Sequence, residues 1–197
     1  MEQELELKDI AGYFPYETYG FVNNNAVKIV GMTCIVDEKS VTILGEKFIG
    51  ITTCKLSDVK LILRPISDLY KTIIHNGKEI IPIVELAKIS TNTLPDREWK
   101  IVYSFDGIYY AESKYSDKFR YNEKYNAFMD KGCLTGNQYE LFDYLHELKI
   151  DYRGLIDSGL AVDVNTLDVN YYKLNARLLT TYPKKLGLVQ CLSLQNG

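Results

Sequence analysis

The run VKLILRP, Val59 to Pro65, constrains the fold more than any other stretch. In an extended chain Val59, Leu61 and Leu63 fall on one face and Lys60, Ile62 and Arg64 on the other. A strand that buries one face needs neighbours for its backbone and a layer for its side chains. Pro65 has no N–H to donate and ends the ladder. The run is therefore expected to be a central strand, with Leu61 in the core.

The segments before it read as further strands. In AVKIVGMTCIV, Val27 and Ile29 alternate in one phase and Met32, Cys34 and Val36 in the other, so a bulge is expected near Gly31. A polar turn from Asp37 to Ser40 follows. VTILGEKFIGITTC then supplies one or two strands, broken by Gly45 and Gly50. Helical signals come next. Ser67 caps DLYKTIIH, with Asn76-Gly77 closing it, and Pro82 opens PIVELAKIS. EWKIVYSFDGIYYAESKYS reads as a hairpin turning at Asp106-Gly107. A helix is expected from about residue 138, with Asn137 and Glu140 as a capping box and Leu141, Leu145 and Leu148 as its buried stripe beside Phe142. RGLIDSG supplies a second, shorter helix ending at Gly159.

The fold class expected is α+β. A small antiparallel sheet or half-barrel lies on the N-terminal side, followed by helices, a β-hairpin and a C-terminal helix pair. The turn-rich TNTLPDRE divides the chain into a β-rich region with two short helices, 1–92, and a hairpin and helical region with a basic C-terminal tail, 93–197. One continuous domain is the alternative.

With 197 residues, 46% hydrophobic and 25% charged, the chain can bury a substantial core in water. It is tyrosine-rich, with 16 Tyr against one Trp, a composition suited to half-buried positions and contact surfaces. No run is long enough to span a membrane, and MEQELELKDI starts no secretory signal, so a cytoplasmic location is expected. Cys34, Cys54, Cys133 and Cys191 form no C-x-x-C pair and read as reduced, structural thiols. The net charge is −3, yet residues 169–197 carry +4 from Lys173, Arg177, Lys184 and Lys185, which leaves −7 on residues 1–168. The tail also holds Tyr171, Tyr172, Leu174, Leu178 and Leu179, too apolar for a disordered arm. It is expected to pack on the body of the protein or on a second copy.

Motifs for chemistry are weak. GLIDSGLAVDVNTLDVN, residues 154–170, gathers Asp157, Asp163, Asn165, Asp168 and Asn170. Counted from Asp163 as a calcium loop, it has Leu167 at position five, Asp168 at six and Leu174 at twelve, where oxygen, glycine and glutamate are required. The polar residues are expected to form turns while Leu155, Ile156, Leu160 and Val162 pack inward. The only histidines, His75 and His146, lie far from any cysteine, so no zinc site is assigned, and His75 reads as a solvated helix-end residue. Cys133, His146 and Asp143 are the one nucleophile-and-base trio, poorly spaced for contact. Phosphate-loop, dinucleotide and G-x-S-x-G patterns are absent from the sequence. No catalytic residue, metal ligand or cofactor is assigned, and the balance leans away from an enzyme.

The strongest binding signal is KYSDKFRYNEKYNAF, residues 114–128. Lys114, Lys118, Arg120 and Lys124 interleave with Tyr115, Phe119, Tyr121 and Tyr125, so cations could meet phosphates while rings stack on bases. Asp117 and Glu123 dilute that charge.

ELKDIAGYFPY, VKLILRPISDL, IVELAKI and LFDYLHELKIDYRGLIDSGLAVDVNTL together resemble a group of small uncharacterised proteins from gut Bacteroidales genomes, often in prophage-like or phage-derived regions. The resemblance covers residues 4–168 as islands. It implies an intracellular, phage-related setting and carries over no site residue. The function expected is a non-enzymatic protein-interaction module acting on a host or phage protein, with self-association as a further outcome. The alternative is a nucleic-acid-binding accessory protein using residues 114–128. No membrane partner is expected.

Overall fold

The computed structural model describes residues 4–23, 25–35, 38–44, 51–91, 98–105 and 107–167. Residues 1–166 form one compact unit. The expected boundary at 92–93, the glycine breaks at 45 and 50, and the tail 169–197 lie outside the described residues.

The strand Val59–Pro65 (β5) is central, as expected, with Leu61 and Leu63 fully buried and Lys60 exposed. On one side it pairs antiparallel with β1 (Tyr19–Val22), which leads to β2 (Asn25–Ile35), β3 (Glu38–Leu44) and β4 (Ile51–Lys55). The expected bulge sits between Ile29 and Gly31. Glu38 to Ser40, expected as a turn, already belong to β3, paired with Thr33 to Ile35.

The α+β expectation is overturned. The described residues form fourteen strands in three sheets and only three α-helices, so the fold is β-rich. Strands do not stop where helices begin: β8 (Trp99–Tyr103), β9 (Tyr109–Ser113), β10 (Lys118–Asn122), β11 (Ala127–Asp130) and β12 (Cys133–Leu134) build a five-stranded antiparallel sheet in the second half. The first sheet is not purely antiparallel either. Two short strands, β13 (Ile150–Asp151) and β14 (Ala161–Asp163), join the free side of β5 in parallel.

Three local expectations fail for identifiable reasons. DLYKTIIH is not a helix. Ile66–Tyr70 make a 3-10 turn, and Ile73–His75 (β6) folds back on Lys78–Ile80 (β7). Asn76 and Gly77 both take positive φ, 49° and 75°, which is the demand of a two-residue hairpin; β-branched Ile73 and Ile74 favour the strand. The second helix of the expected C-terminal pair is absent among the described residues. The buried Asp151 carboxylate instead accepts the N–H groups of Arg153, Leu155 and Ile156 at 3.2, 3.0 and 2.7 Å, pinning residues 154–159 as a turn. Seven residues with two glycines gain too little from helix formation to compete. Finally, the capping box at Asn137 does not form. Its amide donates to Ile89 O and to Glu140, both at 3.3 Å. Gln138 anchors the helix start by bonding both the N–H and the C=O of Phe128.

Helices Pro82–Thr91 (α2) and Gln138–Leu148 (α3) form where expected, and Leu141, Leu145 and Leu148 are buried. They cover the inner face of the five-stranded sheet, where Phe119 and Phe128 stack at 5.6 Å. Leu155, with the partly buried Ile156 and Leu160, packs into the first core beneath β5.

A short N-terminal helix, Leu7–Ala11 (α1), ties the two cores together. Tyr13 donates its hydroxyl to Ile150 O at 2.8 Å, and its ring meets His146 edge-on at 4.9 Å. His146 Nε2 lies 2.9 Å from the Tyr152 hydroxyl, and Arg153 reaches back to Asp9 at 3.0 Å. Gly12 makes this approach possible: a Cβ there would stand 2.4 Å from His146 Nε2.

Candidate interaction surface

The hairpin of β8 and β9 sends alternate side chains toward the core. Its inner face pairs Trp99 with Ser113, Ile101 with Ala111, and Tyr103 with Tyr109. Ala111 is fully buried, whereas Tyr103 is 61% exposed and Tyr109 46%. The sheet therefore runs past its helical cover, and the last pair of its apolar row reaches solvent. Phe105, in the turn, is fully exposed.

The two tyrosine rings are held by their neighbours. Tyr103 and Tyr109 lie 4.5 Å apart between centroids, and Tyr109 stacks on Tyr70 at 5.3 Å. Tyr70 comes from the 3-10 turn after β5, and burial pushes its hydroxyl up to about 12. The hairpin end is stapled by Ser104, whose N–H and hydroxyl both donate to Ile108 O, at 2.8 and 2.9 Å, and whose Oγ accepts the Ile108 N–H at 3.1 Å. Gly107 supplies the positive φ of the turn, 81°; Asp106 lies outside the described residues. The result is a row of three tyrosine rings in contact at one end of a pinned hairpin, with Phe105 exposed in the turn beyond them. Tyr side chains lose little entropy on contact and bury a large area, which is why such rings dominate binding surfaces.

The stretch 114–128 does not form one surface. Phe119 and Tyr121 turn into the core with Phe128, and the Tyr121 hydroxyl bonds Asn126. Lys118 and Arg120 take the opposite, solvent face of β10. There Lys118 Nζ lies 5.1 Å from the Tyr110 ring centre, and Glu112 pairs with Lys100 at 3.1 Å. Lys114 and Tyr115 occupy the turn before β10, Lys124 and Tyr125 the turn after it, so they sit at opposite ends of the strand. Each lysine lies over its neighbour's ring, at 5.4 and 5.5 Å.

The polar run at the end of the described chain builds turns. Asp163 Oδ1 accepts the Asn165 N–H at 2.8 Å, and the Asn165 amide donates to Asp68 at 2.8 Å. Asp157 is exposed, and Asp168 lies outside the described residues. Among the described residues no group of three or more His, Cys, Asp or Glu is placed to hold a metal ion. His75 is half-buried on β6, not a solvated helix end, and meets Glu147 of α3 at 2.9 Å. His146 is engaged by Tyr152, and Cys133 is exposed on β12. Burial raises the Cys54 thiol above its ordinary value. No helix among the described residues is long and apolar enough to cross a membrane.

The sequence signal for the aromatic patch was Tyr103, Phe105 and Tyr109 around a turn; the part of Tyr70 had none, being contributed by another element. No family model, curated protein or solved structure matches the chain.

Proposed function

We propose that the protein is a non-enzymatic interaction module whose protein partner docks on the aromatic end of the β8–β9 hairpin. One observation carries the reading: Tyr103, Phe105 and Tyr109 are exposed together on a stapled turn, backed by Tyr70. Preorganised rings avoid much of the ordering cost of association. The resemblance to proteins of Bacteroidales and phage-derived regions directs the search to a host or phage protein in the bacterial cytoplasm. The test compares the chain with Tyr103→Ala/Phe105→Ala as bait in host lysate. The reading expects one discrete partner to be lost from the double variant while folding is unchanged; retention of that partner refutes it.

A second reading, single-stranded nucleic acid on the outer face of the same sheet, is favoured by Lys118 and Arg120 sharing that face with Tyr110. Titration with single-stranded DNA over a salt series discriminates, since phosphate contacts weaken steeply with salt. Salt-sensitive binding lost in Lys118→Ala/Arg120→Ala favours this reading over the first.

A further inference from the structure

A cleft of about 900 Å³ opens beside the turn that Asp151 pins, away from the outer face of the five-stranded sheet. Its lining is of two kinds. Tyr121, Phe142 and Tyr152 form an aromatic corner: Tyr121 and Phe142 stand at 80° with centroids 6.5 Å apart, and Phe142 and Tyr152 at 55° and 4.9 Å. Around them stand the carboxylates Asp9, Glu123, Asp151 and Asp157 against one cation among the described residues, Arg153.

The protein already shows which chemistry this corner accepts. The Arg153 guanidinium lies 5.6 Å from the Tyr152 ring centre while Nη1 pairs with Asp9 Oδ1 at 3.0 Å, so a cation is held by a ring and a carboxylate together. That internal pair uses Asp9. Asp151 is committed to three backbone N–H groups. Glu123 and Asp157 are exposed and make no ion pair among the described residues. Ring faces and carboxylates attract the same class of ligand, and they do so more strongly where one side is shielded from water.

We infer that this cleft is a second binding site, for an organic cation on an aliphatic stem: an alkylguanidinium or alkylammonium group whose stem lies along Tyr121 and Phe142 and whose charge meets Glu123 and Asp157. The volume exceeds one such group and leaves room for the chain that carries it. A free amine and an arginine side chain of a peptide share this chemistry. The site is independent of the aromatic hairpin end, and its failure leaves that reading untouched.

The experiment is a titration of the full chain, followed by amide chemical shifts, with three probes: agmatine, N-acetyl-arginine methylamide and the uncharged N-acetyl-citrulline methylamide. A fourth, an arginine flanked by alanines in a pentapeptide, separates the two sources. Binding by the charged probes in the roughly millimolar range or tighter is expected, with shifts confined to the cleft. The citrulline probe should bind at least about tenfold more weakly, and Glu123→Gln/Asp157→Asn should weaken the charged probes by about tenfold. Both substitutions are on exposed side chains, so the fold is kept. Pentapeptide binding well above that of agmatine identifies a protein source, and equal binding a small amine. Equal binding of the citrulline probe, no effect of the double variant, or no cleft shifts with any charged probe overturns the inference.

Discussion

Asp151 offers the sharpest quantitative test of how the fold is held. Its buried carboxylate accepts three backbone N–H groups, two at Oδ1 from Arg153 and Leu155 and one at Oδ2 from Ile156. Hydrogen bonds to a charged acceptor contribute about 1.5–3 kcal/mol each, and donors left unsatisfied in the interior cost a similar amount. Arg153 lies at the surface and water can replace its bond, whereas the Leu155 N–H is buried. Asp151→Ala is therefore expected to cost about 3–5 kcal/mol, the range of a broken buried network. Asp151→Asn keeps Oδ1 for two donors but turns an amide NH2 toward the Ile156 N–H, so about 1.5–3 kcal/mol is expected. The order wild type, Asn, Ala distinguishes this account from a generic charge effect, because both substitutions remove the same charge. Denaturant unfolding followed by far-UV circular dichroism gives the stabilities, and hydrogen exchange at Leu155 and Ile156 gives the local effect. A loss under about 1 kcal/mol in Asp151→Ala, or equal losses in the two variants, refutes the reasoning.

Three further expectations follow from the packing. Leu61 is fully buried at the centre of β5, so Leu61→Ala should cost about 2–5 kcal/mol, read as a lower denaturant midpoint; an unchanged midpoint contradicts its central place. Gly12→Ala drives a methyl into the His146 ring, held at 2.9 Å by Tyr152, and should cost about 1–3 kcal/mol, with the loss reduced when His146→Ala is added. Burial first, then Arg153, lowers the His146 pKa below its ordinary 6.5. The unfolded chain then takes up a proton that the folded chain resists, so stability is full above about pH 6.5 and is lost as pH falls through the lower folded value. Nuclear magnetic resonance titration of the His146 ring should give a midpoint below 6.5, and a midpoint above it reverses the sign.

Local periodicity carried the parts of the fold that depend on neighbours in sequence. Val59, Leu61 and Leu63, the slip at Gly31, Pro82 at a helix start and the Leu141 stripe are each readable from spacing. Where two local solutions compete, context decided. Asn76-Gly77 serves a helix end or a hairpin equally well in sequence, and strand pairing of Ile73 with Ile80 selects the hairpin. Residues 153–159 carry helical spacing, but a carboxylate two residues upstream claims their N–H groups. The parallel pairing of Ile150 with Arg64 has no local signature, and so the chain reads as α+β although β5 gathers strands from both halves. Both candidate sites share this difficulty. Tyr70 reaches Tyr109 from another element, and Asp9 and Arg153 meet across 144 residues of chain.

Site-specific photo-cross-linking tests the central functional claim most directly. A photoreactive phenylalanine analogue placed at Phe105 stands on the aromatic end, while one at Ile74 samples another exposed apolar position on a different hairpin. Irradiation in host cells is expected to give one discrete protein adduct from position 105 and none from position 74. An absence of adduct at 105, or the same adducts from both positions, contradicts a partner docked on the β8–β9 hairpin.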